Sequence, residues 1–149
     1  MKELCDILRE MTALFREFLP LEEEKLKAAQ RKQVTFIEDC MGKEQALLLR
    51  IRGLEQKRES FLGKKGLQGR TLREIIAEQP EEEKKELAEV FEKFSNAVKT
   101  FSALNGEAMK LIQINLHELE KAAKEKEGRS YGKGKETAES IPHLTDRIV

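Results

Sequence analysis

The sequence has no tryptophan, one tyrosine, three prolines and two cysteines, and aromatic residues make up only 5% of its 149 positions. Runs of Val and Ile are absent, and so are the alternating patterns that build sheets. No apolar run approaches the roughly 20 residues needed to cross a membrane, so membrane insertion is not expected. The opening "MKELCDILRE" carries acidic residues inside its apolar pattern, unlike a secretory signal, and a cytoplasmic protein is expected. Net charge is lacking too: 28 basic residues balance 28 acidic ones. A nucleic-acid binder needs a basic footprint, and a membrane-surface protein needs a polybasic cluster. Neither class fits. What is abundant is charge of both signs, 38% of the chain, well above the usual quarter. That is the composition of long solvated helices, and the expected fold is all-α.

The ingredients of catalysis are also missing. His117 and His143 have no partners at useful spacing, and no serine sits in a nucleophile-elbow context. A carboxylate metal site between helices would want Glu-x-x-His, but the residue three before His117 is Ile114. Cys5 and Cys40 form no C-x-x-C pair and have no histidine at ligand spacing. They read as buried thiols acting as small apolar residues. Three glycines in "GKKGLQGR" imitate a phosphate loop, but the required G-x-x-x-x-G-K-[ST] after a strand is not there. No catalytic residue, metal ligand or cofactor is expected, and the chain does not read as an enzyme.

Three long helices and a short one account for residues 1–127. The first spans about 2–31, with a heptad seam at Leu4, Ile7, Met11, Leu14, Phe18 and Leu21, and Pro20 should kink it. The second spans about 36–62, opened by a Thr35/Glu38 capping box. Its stripe runs through Ile37, Cys40, Leu48, Ile51, Leu54 and Phe61, with Glu44 and Arg58 in stripe positions as register-setting or edge residues. The "QRKQV" junction has neither Gly nor Pro, so one bent helix is an alternative to the preferred hairpin. "GKKGLQGR" reads as a mobile C-cap and linker. Thr71 and Glu74 form another capping box, opening a helix over about 71–78. The last helix spans about 81–127, roughly 70 Å, behind Pro80 and three glutamates. Residues 128–149, broken by Gly128, Gly132 and Gly134, read as a flexible tail.

Folded as an antiparallel bundle, the last helix returns along the second and reaches the first hairpin turn near Lys110. Beyond that point no intramolecular neighbour is expected. Yet apolar residues multiply there: Met109, Leu111, Ile112, Ile114, Leu116 and Leu119 exceed one stripe. An exposed patch of this kind marks an interaction site, here a groove or template for an amphipathic helix. Cover by the 63–80 segment, by the tail or by a second copy in a homodimer is the alternative. Asn115 falls on a seam position, where a buried amide sets register at a cost in stability.

The chain also resembles the FlgN family, cytoplasmic export chaperones of flagellar hook-associated proteins. In the first half the likeness rests on "FLPLEEEKLKA…VTFIEDCMGKEQALLLRIRGLEQKRESFL". Glu23, Lys43, Leu47, Leu48, Leu54 and Arg58 follow the family rhythm of E, K-x-x-x-L-L and L-x-x-x-R there. In the second half it rests on "ALNGEAMKLIQINLHEL", with Asn105 in the family's asparagine position, and on "YGKGK". Ser130 and Lys135 depart from the family's T-Y-G-x-x-G tail. The resemblance implies binding to the C-terminal helical segments of the hook–filament junction proteins, which holds them from premature assembly until delivery to the flagellar type III export gate. The apolar overhang on the last helix fits this, and the expected client contacts there are Leu111, Ile112, Ile114, Asn115, Leu116 and Leu119; the resemblance implies gate docking by Tyr131. The alternatives are a homo-oligomeric coiled-coil scaffold or tether and a secretion chaperone for other cargo. The seam blurs after residue 108, which favours a chaperone over a scaffold.

Overall fold

The computed structural model describes residues 1–127. The expected tail at 128–149, with Tyr131, lies outside the described residues. All four elements are helices: α1 (Lys2–Gln30), α2 (Val34–Lys64), α3 (Leu72–Ala77) and α4 (Glu81–Glu127). The three long ones form a bundle in which α1 is the shared central member, packed along both α2 and α4, so the expectation that the last helix returns along the second is corrected: α4 lies on α1, whose seam is apolar on two sides. Its burial says so directly. Fourteen of its 29 residues are buried, against ten of 31 in α2, because α1 is covered from two sides. Cross-helix contacts fix the directions. Glu17 meets Arg50 and Lys25 meets Glu44, so α1 and α2 are antiparallel. Arg9 meets Glu86, Lys25 meets Asn105 and Lys32 meets Glu118, so α1 and α4 are parallel.

The heptad seam read in the sequence is the core. Leu4, Ile7, Leu8, Met11, Leu14, Phe15 and Phe18 of α1 join Leu48, Ile51, Leu54, Phe61 and Leu62 of α2 and Leu87, Phe94, Val98 and Phe101 of α4 in one cluster. Its centre is aromatic. The Phe18 and Phe101 rings lie 4.7 Å apart, Phe15 and Phe101 5.4 Å, and Phe15 meets Phe94 edge-on at 6.0 Å. Both cysteines are free and buried, and burial pushes both thiols up in pKa. Helix α1 continues through Pro20, whose side chain is exposed.

The junction of α1 and α2 is a hairpin rather than a bent helix. The chain turns through Arg31, Lys32 and Gln33, with Gln33 N–H bonded to Ala28 O at 2.9 Å and Lys32 N–H to Ala29 O at 3.2 Å. That pair of bonds is a Schellman closure, and it places Lys32 in the left-handed region at φ 56°. The chain re-enters a helix at once. Gln33 O accepts the Ile37 N–H at 3.1 Å, so α2 starts at Val34, two residues earlier than the sequence suggests. The Thr35/Glu38 capping box is therefore not used. Both residues already lie inside α2, whose N-cap Gln33 makes no side-chain bond.

The opposite end of the bundle is sealed. Helix α2 closes with Gly66 at φ 68°, and Leu67 N–H bonds Leu62 O at 2.8 Å while the Leu67 side chain packs on the core. The stretch read as a linker is thus a structured cap. A turn with Gly69 at φ 76° leads to the Thr71/Glu74 capping box, which forms as expected, with reciprocal bonds of 3.2 and 3.1 Å. It starts α3, whose Leu72 and Ile75 are buried against the core beside α4. Arg70 and Glu78 tie the two ends of this segment with a bidentate pair.

Candidate functional site

Among the described residues, no element plugs the end of the bundle at the α1–α2 turn. Its buried apolar cluster is small: Ala28, Ala29 and Ile37, with Met41, Leu111 and Ile112 half-buried against it. Helix α4 passes this end and carries on. Of the sequence-predicted site residues, Leu111 and Ile112 pack inward here. Asn115 Nδ2 donates to Ala29 O at 2.8 Å, satisfying a carbonyl in the last turn of α1. Lys32 Nζ pairs with Glu118 at 3.0 Å. The expectation that α4 loses its intramolecular neighbours beyond Lys110 is therefore corrected: contact persists to Glu118. The reason is that the turn residues Arg31 to Gln33 extend the hairpin past the end of α1, and Lys32 reaches further still.

The remaining predicted residues are more open. Leu116 is half-buried, while Ile114 and Leu119 are 48% and 55% exposed. Five large apolar residues are exposed among the described residues: these two, Val34, Phe36 and Leu49. Four of the five belong to the turn end. Val34 and Phe36 lie in the first turn of α2, and Ile114 and Leu119 lie on α4 at the level of the hairpin turn. Phe36 is 61% exposed. Sequence reasoning missed Val34 and Phe36 because it started α2 at Phe36 and treated the preceding residues as connection.

A layer of buried polar side chains underlies this end. Glu22 and Lys25 are fully buried, and Glu44 and Asn105 nearly so, at 4% and 5% exposed. Lys25 Nζ donates to Asn105 Oδ1 at 2.9 Å. The same nitrogen stands 2.9 Å from Glu22 Oε2 and 2.5 Å from Glu44 Oε1. These two are ion-pair contacts without the alignment of hydrogen bonds, and Glu22 Oε1 is buried without a hydrogen-bond partner. Burial, and after it the neighbouring Glu44 carboxyl, push the Glu22 carboxyl up to about 8. Sequence reasoning placed Glu44 and Asn105 in marked positions but missed Glu22 and Lys25. Lys25 in fact continues the α1 seam seven residues after Phe18. Glu44 and Arg58, read as register-setting or edge residues, are both interior. Arg58 makes a bidentate pair with Glu55 at 2.8 and 2.5 Å, which holds the guanidinium pKa above its usual value.

No group of three or more His, Cys, Asp or Glu side chains among the described residues is placed to hold a metal ion. No helix among them is long and apolar enough to cross a membrane. The features that remain are an unplugged bundle end, an apolar rim and a protruding helix.

A family model described as FlgN protein matches residues 1–137. The chain belongs to the FlgN family. FlgN proteins are flagellar export chaperones, which bind flagellar proteins and are not enzymes. Neither the curated proteins nor the solved structures contain a significant match. The residues that carry the FlgN resemblance are largely architectural in this chain. Leu48 and Leu54 are core, Arg58 is in its buried pair and Asn105 is in the polar layer, while Glu23 and Lys43 are exposed.

Proposed function

We propose that this FlgN chaperone acts in the cytoplasm and captures the C-terminal helical segments of the hook-associated, hook–filament junction proteins at the turn end of its bundle. Ile114 and Leu119 on α4 provide the open contacts, and Val34 and Phe36 in the first turn of α2 add exposed apolar surface at the same end of the bundle. Leu111, Ile112, Asn115 and Leu116 set the surface from below. The observation that carries this reading is the asymmetry of the bundle among the described residues: one end is plugged by α3, and the other gathers four of their five exposed large apolar residues. An apolar rim of this kind suits an amphipathic helix laid into a groove. Bound there, such a segment is kept from assembling prematurely with its own kind, and the complex is delivered to the flagellar type III export gate. Tyr131 is assigned to gate docking by the family resemblance.

The test is calorimetric titration of the full chain with C-terminal fragments of the two hook-associated proteins. Saturable one-to-one binding is expected. Ile114→Asp with Leu119→Asp should weaken it at least tenfold, about 1.4 kcal/mol or more, with helicity by circular dichroism unchanged because both side chains are exposed. Loss of helicity would make them structural. A chain that sediments as a tight dimer and takes up neither fragment would give the scaffold reading the lead. Tyr131→Ala should leave fragment binding intact and abolish retention of the complex by the cytoplasmic part of the gate. Undiminished retention would remove the tyrosine from that role.

A further inference from the structure

The buried layer of Glu22, Lys25, Glu44 and Asn105 is not needed to make an apolar contact surface. It is also an expensive thing to place in a bundle. Two carboxyls meet one ammonium and one amide, all away from water. With both carboxyls ionised the layer holds a net negative charge, and its acceptors outnumber its donors. One ammonium serves Glu22, Glu44 and Asn105 together, and Glu22 Oε1 is left without a hydrogen-bond partner. A single proton resolves both problems. It makes the layer neutral and supplies a donor between the two carboxyls.

The position of the layer gives that proton a consequence. On one side lies the large core, from Leu4 to Phe101. On the other lies the small cluster of Ala28, Ala29 and Ile37 that seats Leu111 and Ile112. Two alanines and an isoleucine bury little apolar surface, so among the described residues this end is held mainly by that cluster, the Asn115–Ala29 hydrogen bond and the exposed Lys32–Glu118 pair. Segments with few buried apolar contacts open locally at lower free energy than the core.

We propose that the Glu22–Lys25–Glu44–Asn105 layer is a proton-operated latch on the turn end of the bundle, closing residues 26–41 and 106–118 while a proton sits between Glu22 and Glu44 and releasing them when it leaves. The groups that face Glu22 are known from each element. On α1 it is Lys25, on α2 Glu44 with the Cys40 thiol beside it, and on α4 the neutral amide of Asn105. The sign follows from the raised Glu22 carboxyl. The folded protein binds this proton more tightly than the unfolded chain, whose carboxyl titrates near 4.5. The stabilisation is complete below that lower value and is lost as pH rises through about 8. Opening frees Leu111 and Ile112, which the closed end half-buries. The consequence for cargo rests on the docking function proposed above, whereas the latch itself does not.

Hydrogen exchange of the full chain, corrected for the intrinsic pH dependence of exchange, tests the latch without cargo. Between about pH 6.5 and about pH 8.5, residues 26–41 and 106–118 should lose roughly tenfold in protection. Residues 4–18 and 87–101 should keep theirs. Glu22→Gln and Glu44→Gln should each abolish the response, because either leaves one carboxylate balanced by Lys25. A uniform loss across the chain, no loss at the turn end, or a response that survives in both variants overturns the proposal. Titration with the hook-associated fragments at the same two pH values is a separate readout. Tighter binding at the higher pH supports the link to cargo. Fragments that bind at neither pH, with the exchange response present, refute the docking function and leave the latch standing.

Discussion

A lysine with no exposed surface is the most consequential single residue in this protein. Lys25 is the only cation in a layer that contains two carboxyls, so its removal does more than delete a contact. Lys25→Ala leaves the negative charge shared by Glu22 and Glu44 buried with no counter-charge. The expected loss is about 3–5 kcal/mol of stability at neutral pH, the usual result of stripping one partner from a buried ion pair. Urea unfolding followed by circular dichroism measures it. A loss below about 1 kcal/mol, the range of exposed pairs, would mean that the layer is solvated. The Arg9–Glu86 and Arg50–Glu17 pairs provide the contrast. Both are half-exposed, and neither is expected to matter measurably.

At the scale of the elements, the hairpin turn holds the one backbone residue out of place. Lys32 is the only non-glycine with positive φ among the described residues. The left-handed conformation costs an L residue about 1–2 kcal/mol. Lys32→Gly should therefore stabilise the protein by about 1 kcal/mol, less the small contribution of the exposed Lys32–Glu118 pair. Thermal unfolding checks the direction, and a lowered midpoint would show that the pair outweighs the strain. The turn also explains what could be read beforehand and what could not. The three long helices and their seams were legible, because periodicity over 29 to 47 residues leaves little choice. The Thr71 capping box was legible because its two bonds are local. The Thr35 box was not a helix start, since a Schellman closure at Lys32 passes the chain straight into α2. No glycine marks that closure in the sequence.

For the whole molecule, the general place of the candidate site was legible and its detail was not. Counting residues along the helices brought α4 to the first turn near Lys110. Counting cannot say how far the turn itself protrudes. Asn115 and Glu118 find partners there only because Ala29 offers a carbonyl and Lys32 a long side chain. Val34 and Phe36 were invisible for a related reason: their importance depends on where α2 begins. The closed end of the molecule was harder still, since "GKKGLQGR" resembles any glycine-rich connection until Leu67 is seen to pack.

Helix α4 keeps its 3–4 spacing from Phe94 through Phe101, Asn105, Ala108, Ile112 and Asn115 to Leu119, while the helix it lies against stops at Gln30. Among the described residues, the lane beside α4 is filled by α1 as far as Gln30 and then by the turn, up to the Lys32–Glu118 pair. Under the docking function proposed above, a client helix laid on the end of α4 would continue a lane whose rhythm α1 has already set. Its apolar residues would then have to keep the same 3–4 step as Phe18, Lys25 and Ala29.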